Sequence, residues 1–151
     1  MKYIFLLLFA VVLFSASAFG ASISEETKNL SRCEGIYIFM AHLAQMQNNE
    51  GLAKNLLLRA SNTSTAYLFL NESGGRVPGV IIEQIKAVRR ADKPNLDADP
   101  YGVIEKAGLC DTTTASVILK ARGMNKVWDS KDFNEWQQMM FATYLKALGI
   151  R

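Results

Sequence analysis

The two cysteines, Cys33 and Cys110, are the residues whose number and spacing most restrict the chemistry available to this chain. An even cysteine count in an exported protein predicts a disulfide, and two cysteines allow one intramolecular pairing. A metal site would need more ligands at short spacing, and His42 is the sole histidine. A redox site would need a C-x-x-C motif, which the sequence lacks. We therefore predict a structural disulfide, which stabilises the fold by roughly 4.5 kcal/mol on the chain-entropy model.

His42 could act as a general base or a ligand only beside a suitable partner. Glu34, Gln45 and Gln47 lie nearby in sequence but form no recognisable triad or metal-ligand spacing. The sequence also lacks H-E-x-x-H, G-x-S-x-G, the P-loop and the C-x-x-C-H haem motif. We therefore predict no catalytic residue, no metal and no cofactor from specific motifs.

Carboxylates leave one enzymatic alternative open, which is a small exported hydrolase. General acid–base hydrolysis needs two carboxyl groups that face one cleft. The sequence does not show which of its glutamates converge. The candidates are Glu34, Glu50, Glu72, Glu83, Glu105 and Glu135.

Four basic residues recur at helical spacing in the middle of the chain. Lys86, Arg89, Arg90 and Lys93 fall on one face of a predicted helix. Such a face is either an ordinary solvated surface or a patch that binds an anionic partner. We keep it as a possible anion-binding patch.

Aromatic residues and methionines concentrate near the C-terminus. These residues are typical of a core, but they can also line an apolar ligand cavity or form an adaptable partner surface. Trp128 precedes the last predicted helix and lies outside any periodic face. The candidate surface comprises Trp128, Trp136, Met139, Met140 and Tyr144.

Residues 1–20 have the three parts of a secretory signal peptide. Lys2 supplies the positive charge, an unbroken apolar run extends over residues 4–14, and small residues follow. Cleavage after Ala18 or after Gly20 fits the small-residue rule about equally well. An uncleaved anchor helix is the alternative, and it would be the chain's one attachment to a membrane. We predict a helical domain over residues 21–151 that is periplasmic or secreted.

The overall composition agrees with one small globular domain. Of 151 residues, 50% are apolar, and 17 Lys plus Arg stand against 14 Asp plus Glu. This weakly basic balance does not favour nucleic acid, which usually requires a strongly basic domain. The composition also excludes a disordered polar chain, a disulfide-rich scaffold and a collagen-like fibre.

Helical periodicity dominates the rest of the sequence, and no segment alternates as a strand does. We predict an all-α bundle of five or six helices, with the disulfide joining the first helix to a short helix near residue 105. An irregular segment over residues 92–100 separates the middle helices. The predicted helices cover about 25–48, about 50–72, from Pro78 to 91, from Pro100 to Cys110, from Thr112–Thr114 to Gly123, and from Ser130 to Gly149.

These observations favour a non-catalytic binding or interaction module over the hydrolase. Its partner would be an envelope or extracellular protein, or an apolar ligand. The motivating features are the export signal, the helices rich in methionine and aromatic residues, and the lack of a recognisable set of catalytic groups.

Overall fold

The computed structural model describes residues 22–71, 77, 79–123 and 130–150, and this part of the chain consists of helices and the short segments between them. Five helices form one bundle, which confirms the predicted all-α class. The predicted signal peptide lies outside the described residues. The helices are α1 (Glu25–Met46), α2 (Glu50–Leu70), α3 (Gly79–Ala98), α4 (Pro100–Gly123) and α5 (Ser130–Leu148).

The α1–α2 hairpin forms the centre of the bundle, and these two helices make the most extensive contact. Ser24 caps α1, because its side chain accepts a hydrogen bond from the Thr27 amide at 3.1 Å. Asn48 adopts a left-handed φ of 58° in the connecting turn. Asn49 then caps α2 by accepting from the Leu52 amide at 3.1 Å. The short turn places α1 and α2 side by side and antiparallel.

The predicted irregular segment over residues 92–100 is wrong, because α3 continues through Pro94 to Ala98. Proline usually interrupts a helix, since it lacks an N–H and crowds the preceding turn. Here Lys93 pairs with Asp97 one turn later at 2.7 Å, and Leu96 packs against the core. Packing of Leu96 against the core opposes the local preference, and α3 is about two turns longer than the predicted helix.

The predicted break near residue 112 is also absent, so the disulfide joins α1 to a long helix rather than to a short one. Asp99 caps α4 through the Gly102 amide at 2.9 Å, as the Asp99-Pro100 pair predicts. Thr112, Thr113 and Thr114, where the next predicted helix begins, lie within α4 instead. Thr113 donates to the Leu109 carbonyl at 2.9 Å, and Thr114 pairs with Thr63 of α2 at 3.1 Å.

Buried side chains form two apolar clusters at either end of the bundle. One surrounds Tyr37, Leu57 and the disulfide, and the other surrounds Leu30 and Tyr67. A polar segment of α2 lies between them, fully or almost fully buried. Its hydroxyl groups are satisfied within the helix by carbonyls three or four residues earlier, which makes their burial tolerable. These residues are Ser61, Thr63, Ser64 and Thr65.

The disulfide between Cys33 and Cys110 is present, with Cα atoms 5.4 Å apart. It ties α1 to α4 and confirms the predicted pairing. A buried disulfide of this kind indicates an oxidising compartment outside the cytoplasm. Within the described residues, none of the helices combines the length and apolarity needed to span a bilayer.

Candidate functional site

A groove of about 620 Å³ opens between α1, α3 and the C-terminal end of α5. Its floor is apolar and its α3 side is basic, so the two kinds of surface meet along one edge. The described lining residues are Gly35, Ile38, Phe39, His42, Lys86, Arg89, Arg90, Lys93, Leu96, Asp97 and Leu148.

The apolar floor of the groove includes a residue from the part of α3 that continues beyond Pro94. Gly35, Ile38 and Phe39 lie on one face of α1, spaced three and four residues apart. Leu96 reaches the groove from the turn of α3 that follows Pro94. A methyl group added at Gly35 would lie 3.8 Å from Leu96 Cδ1, which is ordinary contact. The glycine therefore leaves the space that larger side chains would fill.

The basic edge of the groove contains all four residues of the predicted anion-binding patch. Lys86, Arg89, Arg90 and Lys93 line the groove together because they repeat at three and four residues along α3. Among the described lining residues, Asp97 is the one acidic group, and His42 is exposed at the α1 side. The groove therefore has a positive potential on one side and an uncharged surface on the other.

Three of the four cations already have a carboxylate partner. Lys86 pairs with Glu83 at 2.7 Å, Lys93 with Asp97 at 2.7 Å, and Arg89 with Glu34 at 3.0 Å. The first two pairs are exposed and contribute little to stability. Within the part of the chain that the structure describes, Arg90 is exposed and has no salt-bridge partner.

Glu34 forms a buried cluster next to the groove, and its side chain has 0% exposure. Tyr67 of α2 donates to Oε2 at 2.7 Å, and Tyr144 of α5 donates to Oε1. Arg89 of α3 also donates to Oε1, while its own side chain is 36% exposed and lines the groove. Four helices therefore meet at one carboxyl group, and Arg89 connects that group to the groove.

Burial shifts the pKa values of the titratable groups in this cluster. The loss of solvation raises the pKa of Glu34, although Arg89 and the two tyrosine donors act in the opposite direction. Burial and the neighbouring Glu34 carboxyl group raise the pKa values of Tyr67 and Tyr144. The tyrosines therefore keep their protons and remain donors to Glu34 at neutral pH.

Asp111 of α4 forms a second cluster at the surface, which also joins a carboxyl group, a tyrosine and an arginine. Tyr37 donates to Oδ1 at 2.6 Å, and Arg59 donates to Oδ2 at 2.5 Å. The side chain of Asp111 is 52% exposed, and that of Arg59 is 46% exposed. Burial, followed by the hydrogen bond to Asp111, raises the pKa of Tyr37.

The predicted aromatic and methionine surface is divided between different environments. Trp128 lies outside the described residues. Trp136 is half-buried and packs edge-on against Phe69, with ring centroids 4.9 Å apart. Met139 is exposed, Met140 is half-buried against both apolar clusters, and Tyr144 is buried on Glu34. The described members therefore do not share one exposed face.

The glutamates of the hydrolase alternative also lie in different places. Glu34 contacts two tyrosines and an arginine, while Glu50 and Glu83 pair with lysines. Glu105 and Glu135 are exposed, and Glu72 lies outside the described residues. Among the residues that the structure describes, no cluster of three or more His, Cys, Asp or Glu residues could hold a metal ion.

Helical spacing predicts that the four basic residues share one face, and it does not indicate Glu34 as the centre of a cluster. One signal was present, because Glu34 follows Leu30 by four residues and precedes Tyr37 by three, within an apolar row. A charged residue in such a row is often buried and paired. The partners themselves come from three other helices, and the sequence does not show that they converge.

No known protein family, curated protein or solved structure matches this chain. The functional proposal therefore rests on the chemistry of the groove.

Proposed function

We propose that this chain is an exported, non-catalytic binding protein that holds an apolar ligand in the groove between α1 and α3. The groove volume of about 620 Å³ is the observation that carries the proposal. Small-molecule sites are typically concave, about 300–1,000 Å³ in volume, and lined mainly by apolar side chains with a few polar groups. The floor of Ile38, Phe39 and Leu96 with a polar edge has this composition.

Two features support an exported location. The first is the pattern of residues 1–20, which has the charge, apolar run and small residues of a signal peptide. The second is the disulfide, which needs an oxidising compartment to persist. We propose that the mature protein begins after Ala18 or Gly20 and works in the periplasm or outside the cell.

The charged groups around the groove support binding rather than catalysis. Its described ionisable lining consists of four cations, His42 and Asp97. The nearest buried acid, Glu34, already accepts hydrogen bonds from Tyr67, Tyr144 and Arg89. These bonds orient Glu34 within the bundle, which is a structural role.

Binding of an uncharged apolar dye tests this proposal directly. Phenylnaphthylamine should become fluorescent with the mature wild-type protein. The variant Gly35→Leu should lose most of this increase, because the new side chain extends into the groove beside Leu96. The control is Gly108→Leu on exposed α4, where an added Cβ meets no atom within 4 Å.

The two glycine variants separate groove filling from a general effect of placing leucine in a helix. Equal dye binding by Gly35→Leu and wild type would contradict the proposed site. Loss of binding in both variants would show a general effect of the added leucine and would also contradict the proposed site. Circular dichroism on each variant establishes that the helices remain folded.

A further inference from the structure

We infer that the groove selects a long-chain carboxylate, whose acyl chain lies on the apolar floor and whose carboxylate binds Arg90. The inference rests on the proposed function, since it identifies the ligand class for the same groove. It follows from the distribution of charge in the lining, from the pairing of each cation and from the absence of uncharged polar side chains among the described lining residues.

Charge in the groove lies along one edge. The four cations extend over two turns of α3, from Lys86 to Lys93, which corresponds to roughly 10 Å along the helix. The α1 side presents Ile38 and Phe39, and α5 contributes Leu148. A complementary ligand has a negative group at one end and an uncharged apolar remainder. A neutral hydrocarbon would leave the basic edge without a partner.

The pairing of the cations leaves one lining cation without a carboxylate partner among the described residues. Lys86, Lys93 and Arg89 each hold a carboxylate of this chain. Arg90 is the lining cation that has no salt bridge within the described residues. A guanidinium group matches the planar carboxylate geometrically and can donate two parallel hydrogen bonds to it. One available arginine therefore fits one carboxylate.

The lining also disfavours a peptide as the occupant. A bound peptide brings backbone amides and carbonyls that need hydrogen-bond partners. The described lining includes no Ser, Thr, Asn or Gln side chain, and it is built on helices whose backbone groups are already bonded internally. An acyl chain has no such groups to satisfy. The groove therefore suits a ligand with one polar end.

Three ligands with the same chain and different head groups test the inference. Dodecanoate, dodecan-1-ol and dodecyltrimethylammonium are titrated into the mature protein by displacement of phenylnaphthylamine at neutral pH, below their micelle concentrations. Dodecanoate should bind about tenfold more tightly than the alcohol, the difference expected for one charge-assisted hydrogen bond at a partly exposed site. The cationic amphiphile should bind most weakly.

Arg90→Gln and Arg59→Gln form a matched pair of variants. Arg90→Gln should reduce the preference for dodecanoate over dodecan-1-ol from about tenfold to none. Arg59→Gln should keep the preference, because Arg59 bonds to Asp111 and does not line the groove. Preference for the carboxylate that survives in Arg90→Gln would overturn the assignment of Arg90.

The head-group series also separates this inference from the proposed function. Equal binding of dodecanoate and dodecan-1-ol would overturn the selection of a carboxylate and leave an apolar ligand site intact. Failure of all three ligands to displace the dye, or failure of the dye itself to bind, would overturn both.

Discussion

Glu34 and Asp111 have similar partners and opposite environments. Each accepts hydrogen bonds from tyrosine and from arginine, and each directly follows one of the two cysteines of the disulfide. Glu34 is fully buried, while the side chain of Asp111 is 52% exposed. The disulfide thus joins the two helices at the positions where one carboxylate enters the interior and the other faces solvent.

This difference shows that burial, more than partner type, determines what a charged group does. A buried charge that loses its partner remains desolvated, so its partners become essential. An exposed carboxylate that loses its partner is hydrated by water, so the pair contributes little. We therefore expect Glu34 to contribute strongly to the stability of the bundle and Asp111 to contribute little.

The largest expected effect is that of removing the Glu34 carboxyl group. Glu34→Ala should lower the free energy of unfolding by about 3–5 kcal/mol, because it leaves a cavity and unpaired buried donors. Asp111→Ala should cost no more than about 1 kcal/mol, the usual range for an exposed pair. Urea unfolding followed by circular dichroism measures both. Equal losses in the two variants would contradict the comparison.

Removing the disulfide should have the next largest effect. The double variant Cys33→Ser, Cys110→Ser should lose about 2–5 kcal/mol, since the long loop between the cysteines is no longer closed in the unfolded chain. Glu34 should still be protected from solvent, because α2, α3 and α5 hold it without α4. Thermal unfolding with and without reductant measures the loss. If reductant left the melting temperature of the wild-type protein unchanged, the predicted contribution of the disulfide would be contradicted.

The tyrosine hydroxyls give a finer version of the same comparison. Tyr67→Phe and Tyr144→Phe should each cost about 1–3 kcal/mol, because each removes a donor to a buried carboxyl group. Tyr37→Phe should cost less, since water can replace its hydroxyl at the exposed Asp111. The three variants change the same atom, so their urea midpoints are directly comparable. A larger loss for Tyr37→Phe would reverse the proposed ranking.

The contribution of Glu34 to stability should be recognisable from the direction in which stability changes with pH. Burial raises its pKa in the folded state, so the folded protein binds more protons than the unfolded chain above about pH 4.5. Glu34 should therefore make stability fall as pH rises through this window, by at most about 1.4 kcal/mol per pH unit. Glu34→Gln should remove this fall, whereas Asp111→Asn should keep it.

The tyrosines predict a second loss at alkaline pH. Burial raises the pKa values of Tyr67 and Tyr144 above the ordinary value of 10. The unfolded chain therefore releases their protons first, and stability should fall as pH rises above about 10. Denaturant midpoints measured across both ranges check the two signs. A rise in stability in either range would contradict the assignment.

The sequence predicted those features that depend on spacing within one segment or on residue counts. Two cysteines behind a predicted signal peptide predict the disulfide, and the helical repeat of Lys86 to Lys93 predicts the basic edge. The continuation of α3 through Pro94 did not follow, because tertiary contacts of Leu96 override the local preference. The groove floor was missed for the same reason.

The Glu34 cluster could not be predicted from the sequence for a different reason. Its partners Tyr67, Arg89 and Tyr144 come from three helices and are 33, 55 and 110 residues away along the chain. Periodicity places a residue on a face of its own helix and says nothing about which other faces it meets. Tyr144 was consequently predicted as part of a ligand or partner surface, and the structure places it in the interior.

The position of a bound acyl chain tests most directly whether the groove is a binding site. Isotope-filtered nuclear Overhauser spectra of the methyl-labelled mature protein with dodecanoate measure that position. We expect contacts from the chain to the methyl groups of Ile38, Leu96 and Leu148. Contacts confined to the exposed Leu109 and Leu119 of α4, with none to Ile38 or Leu96, would contradict it.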